Sequence, residues 1–211
     1  TSRAGMEQSL AEGTRGALDP RARVRLIAGL RAFQGDRSRG ALRQMLHGDP
    51  APEVRVAALA ALGDFVDAAE LEEVAGRALT DPDRRVRLGA ARLIRRLPAE
   101  RGVPLLLRAL RGEDDPGVLQ VAGESVEADG DAFASIALQA AEQGEDLAVI
   151  ARLARHTRHP AVAGLVPSLA AHVQPEVRAA VSDLLRARPD LANDSALSGL
   201  LADPVATDGA D

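Results

Sequence analysis

The stretch DPAPEVRVAALAALGDF, residues 49–65, decides the fold. It sets an Asp-Pro turn before a Val-Arg pair and then a run of alanine and leucine. DPRARVRLIAGLRAF at 19–33 and DPDRRVRLGAARLIRRL at 81–97 repeat the scheme. Aspartate accepts a hydrogen bond from an unpaired N–H at a helix start, and proline fits the first turn, where its missing N–H costs nothing. Aligned on the helix-opening valine, the repeats fall at Val24, Val54, Val86, Val118, a degenerate position near Ala148, and Val177. A period of about 30 residues marks stacked helical hairpins.

The second helix of each hairpin carries apolar residues at i, i+3, i+4, i+7 and i+8. In the third repeat these are Val86, Gly89, Ala90, Leu93 and Ile94; in the sixth they are Val177, Ala180, Val181, Leu184 and Leu185. That spacing makes one buried stripe. A lone hairpin cannot cover its stripe, so the hairpins must stack. The pattern predicts helix pairs at 6–18 and 20–34, 37–47 and 52–64, 68–79 and 84–97, 100–111 and 116–128, 132–142 and 146–155, and 161–172 and 175–188. A thirteenth helix is expected at 195–202. The expectation is a single all-α repeat domain over 1–204, with a disordered tail at 205–211.

Composition agrees with an all-α chain. Apolar residues make up 46% of the 211, but aromatics only 1%: Phe33, Phe65 and Phe133. The core must therefore come from Leu, Val, Ile and Ala, and alanine is the best helix former. Absence of cysteine excludes disulfides, thiolate metal sites and a cysteine nucleophile. No apolar run nears the ~20 residues that span a bilayer, and no signal peptide is visible, so a cytoplasmic location is expected. All 26 basic residues are arginine. The chain opens at Thr1, and its last turn, Asp203-Pro204, lacks a following helix, which points to a piece of a larger, membrane-tethered parent as an alternative to a standalone protein.

The unit DPAPEVRVAALAALG resembles the bacterial HEAT-like repeat, the type named after phycobilisome lyase subunits. The resemblance runs from about Met6 to Pro204. It is closest in repeats two, three and six. It implies a right-handed α-solenoid of about six hairpins plus a terminal helix, with second helices lining the concave face. It also implies a ladder in which the arginine after the key valine bonds a neighbouring turn. Its members here would be Arg25, Arg55, Arg87 and Arg178 with Asp19, Asp49, Asp81 and Asp115. Leu119 interrupts it in repeat four.

Charge is unevenly spread. Residues 1–111 hold 20 Arg and 14 acids; residues 112–151 hold ten acids and no Arg. At equivalent repeat positions stand Arg92 and Glu124, and Arg95 and Glu127, which stacking in register would make neighbours. They read either as inter-repeat ion pairs worth ~0–1 kcal/mol each, or as a partner-binding surface of Arg92, Arg95, Arg96, Glu124, Glu127 and Asp131.

Signs of chemistry are few. His156 and His159 form an HxxH before Pro160, but further zinc ligands at fitting spacing are missing. They read as surface residues favoured by a helix C-terminus. The iron hydroxylases of this fold use His-Glu pairs, and no His-Glu dipeptide occurs. No phosphate loop or nucleophile constellation is recognisable. The cluster Arg84, Arg85, Arg87, Arg92, Arg95, Arg96 and Arg101 could meet phosphate, yet the following residues are acidic and no Trp or Tyr can stack a base. The expectation is a non-enzymatic scaffold without cofactor or metal, binding a basic protein or peptide on its concave surface. A regulatory or connecting domain of a larger protein is the alternative, and nucleic-acid binding a lesser one.

Overall fold

A computed structural model describes residues 2–13, 19–33, 35–143 and 146–202. All regular structure among them is helical. The helices are α1 (Arg3–Gly13), α2 (Pro20–Arg31), α3 (Asp36–Gly48), α4 (Pro52–Gly63), α5 (Ala68–Ala78), α6 (Arg84–Ile94), α7 (Ala99–Ala109), α8 (Pro116–Val126), α9 (Gly130–Glu142), α10 (Leu147–Ala154), α11 (Val166–Ala170), α12 (Pro175–Ala187) and α13 (Asp194–Leu201). Short 3-10 turns occupy Glu127–Asp129, Pro160–Gly164 and Pro189–Leu191. The chain divides into two compact units, 1–97 and 98–211.

Each unit is a two-layer stack of hairpins, the architecture of an α-solenoid. In the first, α2, α4 and α6 pack side by side in one layer, and α1 packs on α3 in the other. In the second, α8, α10 and α12 form one layer, while α7, α9, the 160–164 turn, α11 and α13 follow one another in the other.

Most positions of the predicted stripes are buried, but Val24 of the first repeat and Ala180 and Leu185 of the sixth are only half-buried. Val54, Val86, Val118 and Val177 are at most 1% exposed, as are Ala58, Ala90, Ala122 and Val181. Gly89 and Leu93 are half-buried for a reason that the neighbouring helix supplies. A Cβ on Gly63 of α4 would sit 2.7 Å from Leu93 Cδ2, and a Cβ on Gly89 of α6 would sit 3.2 Å from Leu59 Cδ2. Each helix thus offers a glycine notch to the other's leucine, which draws the α4 and α6 backbones together.

Several expected helices differ in extent. The one expected at 161–172 is a 3-10 turn followed by the five-residue α11, because Gly164 and Pro167 interrupt it. The helix expected at 116–128 ends at Val126, and α9 starts at Gly130 rather than 132. Pro104 lies inside α7, where it lacks the N–H that would bond the Glu100 carbonyl. Residues 14–18 of the expected first helix, the Asp203-Pro204 turn and the 205–211 tail lie outside the described residues.

The candidate interaction groove

The turns before α4, α6, α8 and α12 share one construction, and it shows where the arginine ladder runs. Asp49 Oδ1 accepts from Ala51 N at 2.9 Å, and Asp81 Oδ1 accepts from Asp83 N at 2.8 Å. Glu113 Oε1 accepts from Asp115 N at 2.8 Å, and His172 Nδ1 from Gln174 N at 3.2 Å. A side-chain acceptor three residues before the helix thus closes each turn onto the backbone two residues on.

The fourth residue of the following helix completes the clasp. Arg55 donates Nη1 to the carbonyls of Asp49 (2.9 Å) and Pro50 (3.4 Å). Its Nε and Nη2 form a fork on the two Asp81 carboxylate oxygens, both at 2.8 Å. Arg87 Nη1 donates to the Asp81 and Pro82 carbonyls, and Arg178 Nη1 to those of His172 and Val173. Each arginine therefore holds its own turn, and Arg55 also holds the next repeat's carboxylate. That carboxylate keeps the Arg55 guanidinium above its already high ordinary value.

In the first repeat the rung is Arg23, not Arg25. Arg23 Nε and Nη2 donate to Asp49 at 2.7 and 2.8 Å, with 12% and 6% of the two side chains exposed. Arg25 is exposed, beside Asp19, Arg21 and Glu53 on the wall of a polar depression of about 550 Å³. Counted from the helix start, Arg23, Arg55 and Arg87 are equivalent, 32 residues apart. The Val24-Arg25 pair imitates the motif two residues out of register, on the wrong side of α2. Asp19 is a cap: Oδ1 accepts from Ala22 N at 2.9 Å, which holds its carboxyl below the usual range. Asp115 likewise caps α8, accepting from Gly117 and Val118, and the turn position expected of it belongs to Glu113.

The second unit rebuilds the connection differently. Leu119 occupies the ladder position of α8 and is buried. Asp146, before α10, has φ 55°, left-handed for a non-glycine residue, and both its carboxylate oxygens bond Arg111. Arg152 of α10 donates to the carbonyls of Leu110, Arg111 and Glu113, at 3.4, 3.1 and 2.7 Å.

With a leucine there instead of a guanidinium, the outer face of α8, α10 and α12 is an apolar groove of about 520 Å³. Leu119, Ala148, Ala151, Ala179 and Ala180 line its floor. Its rim carries Asp114, Glu176 and Asp183 against Arg152, Arg155 and His156. The Asp114 side chain is 97% exposed, with Oδ1 3.6 Å from Arg152 Nη1. Most of the Arg152 donors go to carbonyls, whereas Glu176 and Arg155, both exposed, form no ion pair among the described residues. Burial and the neighbouring Arg155 lower the His156 pKa, against the opposing pull of Glu124.

The expected site residues divide between the units. Arg92, Arg95 and Arg96 are exposed at the end of α6 and just beyond it. In the second unit Glu124 is exposed and accepts from Gln120 Nε2 at 2.9 Å. Glu127 accepts from the Arg158 N–H, and Asp131 Oδ1 lies 3.7 Å from His159 Nδ1. Arg92 and Arg95, of the expected pairings, belong to the first unit, and Glu124 and Glu127 to the second.

The two histidines are not free surface groups. A Cβ on Gly123 would stand 2.5 Å from His156 Cβ, and one on Gly130 would stand 2.1 Å from His159 Cγ. Both rings are half-buried against those glycines. Between them Thr157 is fully buried, its hydroxyl 3.2 Å from the carbonyls of Gly123 and Leu153. Among the described residues no group of three or more His, Asp or Glu side chains could hold a metal ion. No described helix is long and apolar enough to cross a membrane.

Residues 40–127 match the family model for HEAT repeats, covering α4 to α8 and most of α3. No curated protein matches the chain.

Proposed function

We propose that this HEAT-like repeat protein is a non-enzymatic scaffold that binds a basic protein or peptide on the face built by its second helices. HEAT repeats generally mediate protein–protein interaction. The groove across α8, α10 and α12 carries the reading: Ala179 is exposed and Ala148 and Ala180 half-buried over a buried Leu119 and Ala151, where an internal face would be covered throughout. Residues 112–151 hold ten acids and no arginine, and Asp129 is exposed among them, which suits a basic partner. Glu124 and Asp131 stand exposed there, with Glu127 between them tied to the 158 backbone. On the first unit, the exposed Arg92, Arg95 and Arg96 are proposed as partner-contacting residues in their own right. Having no Trp or Tyr, the surface lacks two of the commonest anchors, so the affinity is modest and salt-sensitive.

The test is retention of arrayed lysine-rich and glutamate-rich peptides by the immobilised chain. Lysine-rich peptides should bind at low salt and weaken at physiological salt. A Glu124→Arg/Asp131→Arg variant with unchanged far-ultraviolet circular dichroism should bind them at least tenfold more weakly. Equal retention by the variant, or preference for the acidic peptides, refutes the proposed charge selectivity.

A further inference from the structure

Resting on the scaffold reading, we infer that the α8–α10–α12 groove takes an amphipathic segment of a partner protein: small apolar side chains ending in a lysine or arginine, laid in one fixed direction. The groove is bipolar. At the end where α8 and α12 begin stand Asp114 and Glu176, both exposed; Arg152 Nη1 already lies 3.6 Å from Asp114 Oδ1, whereas Glu176 has no cation among the described residues. At the end where α10 finishes stand Arg155 and His156. Asp183, also on the rim, is ion-paired to Arg186 on its own helix, which leaves Arg155 as the uncompensated charge there.

The floor determines what lies between the ends. Ala148, Ala151, Ala179 and Ala180 keep the surface low, so a partner backbone can come close. A volume of about 520 Å³ accommodates a short row of small side chains, within the ~300–1,000 Å³ of ordinary ligand clefts. A cation seated beside Glu176 meets a carboxylate that has no other cation among the described residues, whereas the reversed segment would set it beside Arg155. Placing like charges together disfavours the reversed orientation. The Leu119 position connects this to the fold: the arginine expected there would bring a guanidinium into the floor.

The experiment pans a displayed library of random peptides on the full 211-residue chain, with counter-selection on Ala179→Glu. Ala179 is exposed, so the variant keeps its core and places a carboxylate in the floor. Peptides kept by the wild type and lost on Ala179→Glu should carry small apolar residues next to Lys or Arg. Glu176→Arg should weaken them at least tenfold, and Arg155→Ala should change the preferred residue at the opposite end. If the wild type selects basic peptides that Ala179→Glu retains equally, the groove is wrong and the scaffold reading stands. Peptides with acidic flanks at the Glu176 end overturn the orientation. Selection of no peptide by the wild type overturns the groove assignment; binding of the lysine-rich array would then still support the scaffold.

Discussion

Replacing Arg55 with methionine should cost about 3 kcal/mol, whereas the same change at Arg25 should cost less than about 0.5 kcal/mol. Arg55 makes a two-pronged contact with Asp81 at 2.8 Å and a third with the Asp49 carbonyl at 2.9 Å, and the side chains of the ion pair are only 11% and 10% exposed. Breaking a buried pair from one side costs about 3–5 kcal/mol, because the remaining charge keeps its desolvation without its partner. Here the low end applies: Asp81 still accepts from Asp83 N, and its remaining exposure lets water reach it. Methionine keeps most of the packing of the arginine stem, so the loss reports the guanidinium. Arg25 is exposed, and deleting such a charge usually changes stability within about 0.5 kcal/mol. Urea unfolding followed by circular dichroism separates the outcomes, since 3 kcal/mol is a roughly hundredfold change in the unfolding constant. A neutral Arg55→Met, or an Arg25→Met as harmful as Arg55→Met, would refute the 32-residue register of the ladder.

Two further outcomes follow from the same geometry. Asp83 caps α6 and is gripped by the Arg85 side chain and its N–H, which lower its carboxyl from 3.8 to about 2. A depressed carboxyl pKa stabilises above the unfolded value and loses that contribution as pH falls through the folded one, so urea midpoints should drop between about pH 4 and 2. Asp83→Asn should flatten that drop; an unchanged pH profile would contradict the assignment. Gly123→Ala should destabilise by about 1–3 kcal/mol, since its methyl would meet the His156 Cβ at 2.5 Å and the Leu153 carbonyl at 3.0 Å. Gly40→Ala, in α3 with open space around it, should stabilise by about 0.5–1 kcal/mol, and thermal melts of the pair should move in opposite directions.

The hairpin order was legible because apolar spacing and Asp-Pro punctuation are local signals that each repeat restates. Val54, Val86, Val118 and Val177 are all buried, as their spacing predicts. The error in the first repeat has a physical source. Val24-Arg25 has the right residue types, but side-chain direction depends on the count from the helix start, and two residues turn a side chain through about 200°. Pro20 gave that start, and Arg23 lies on the same helix face as Arg55. Glu113 was hidden differently: a glutamate can close the turn that aspartate closes elsewhere, so matching on Asp pointed to Asp115. The split of α11 was written in Gly164 and Pro167. The groove was less accessible, because Leu119 registers in sequence as a missing arginine and only the packed helices show an apolar floor around it. The contacts of His156 and His159 with Gly123 and Gly130 join positions some thirty residues apart, which no local pattern discloses.

An alanine floor has one more effect. Alanine has no rotamers, so a surface of Ala148, Ala151, Ala179 and Ala180 surrenders no torsional freedom when it is covered. In the proposed docking the alanines need no rearrangement, and the ordering falls on the guest. A guest that arrives as a preformed helix or is stiffened by proline should therefore outcompete a floppy one of the same composition, with the difference showing in its dissociation rate.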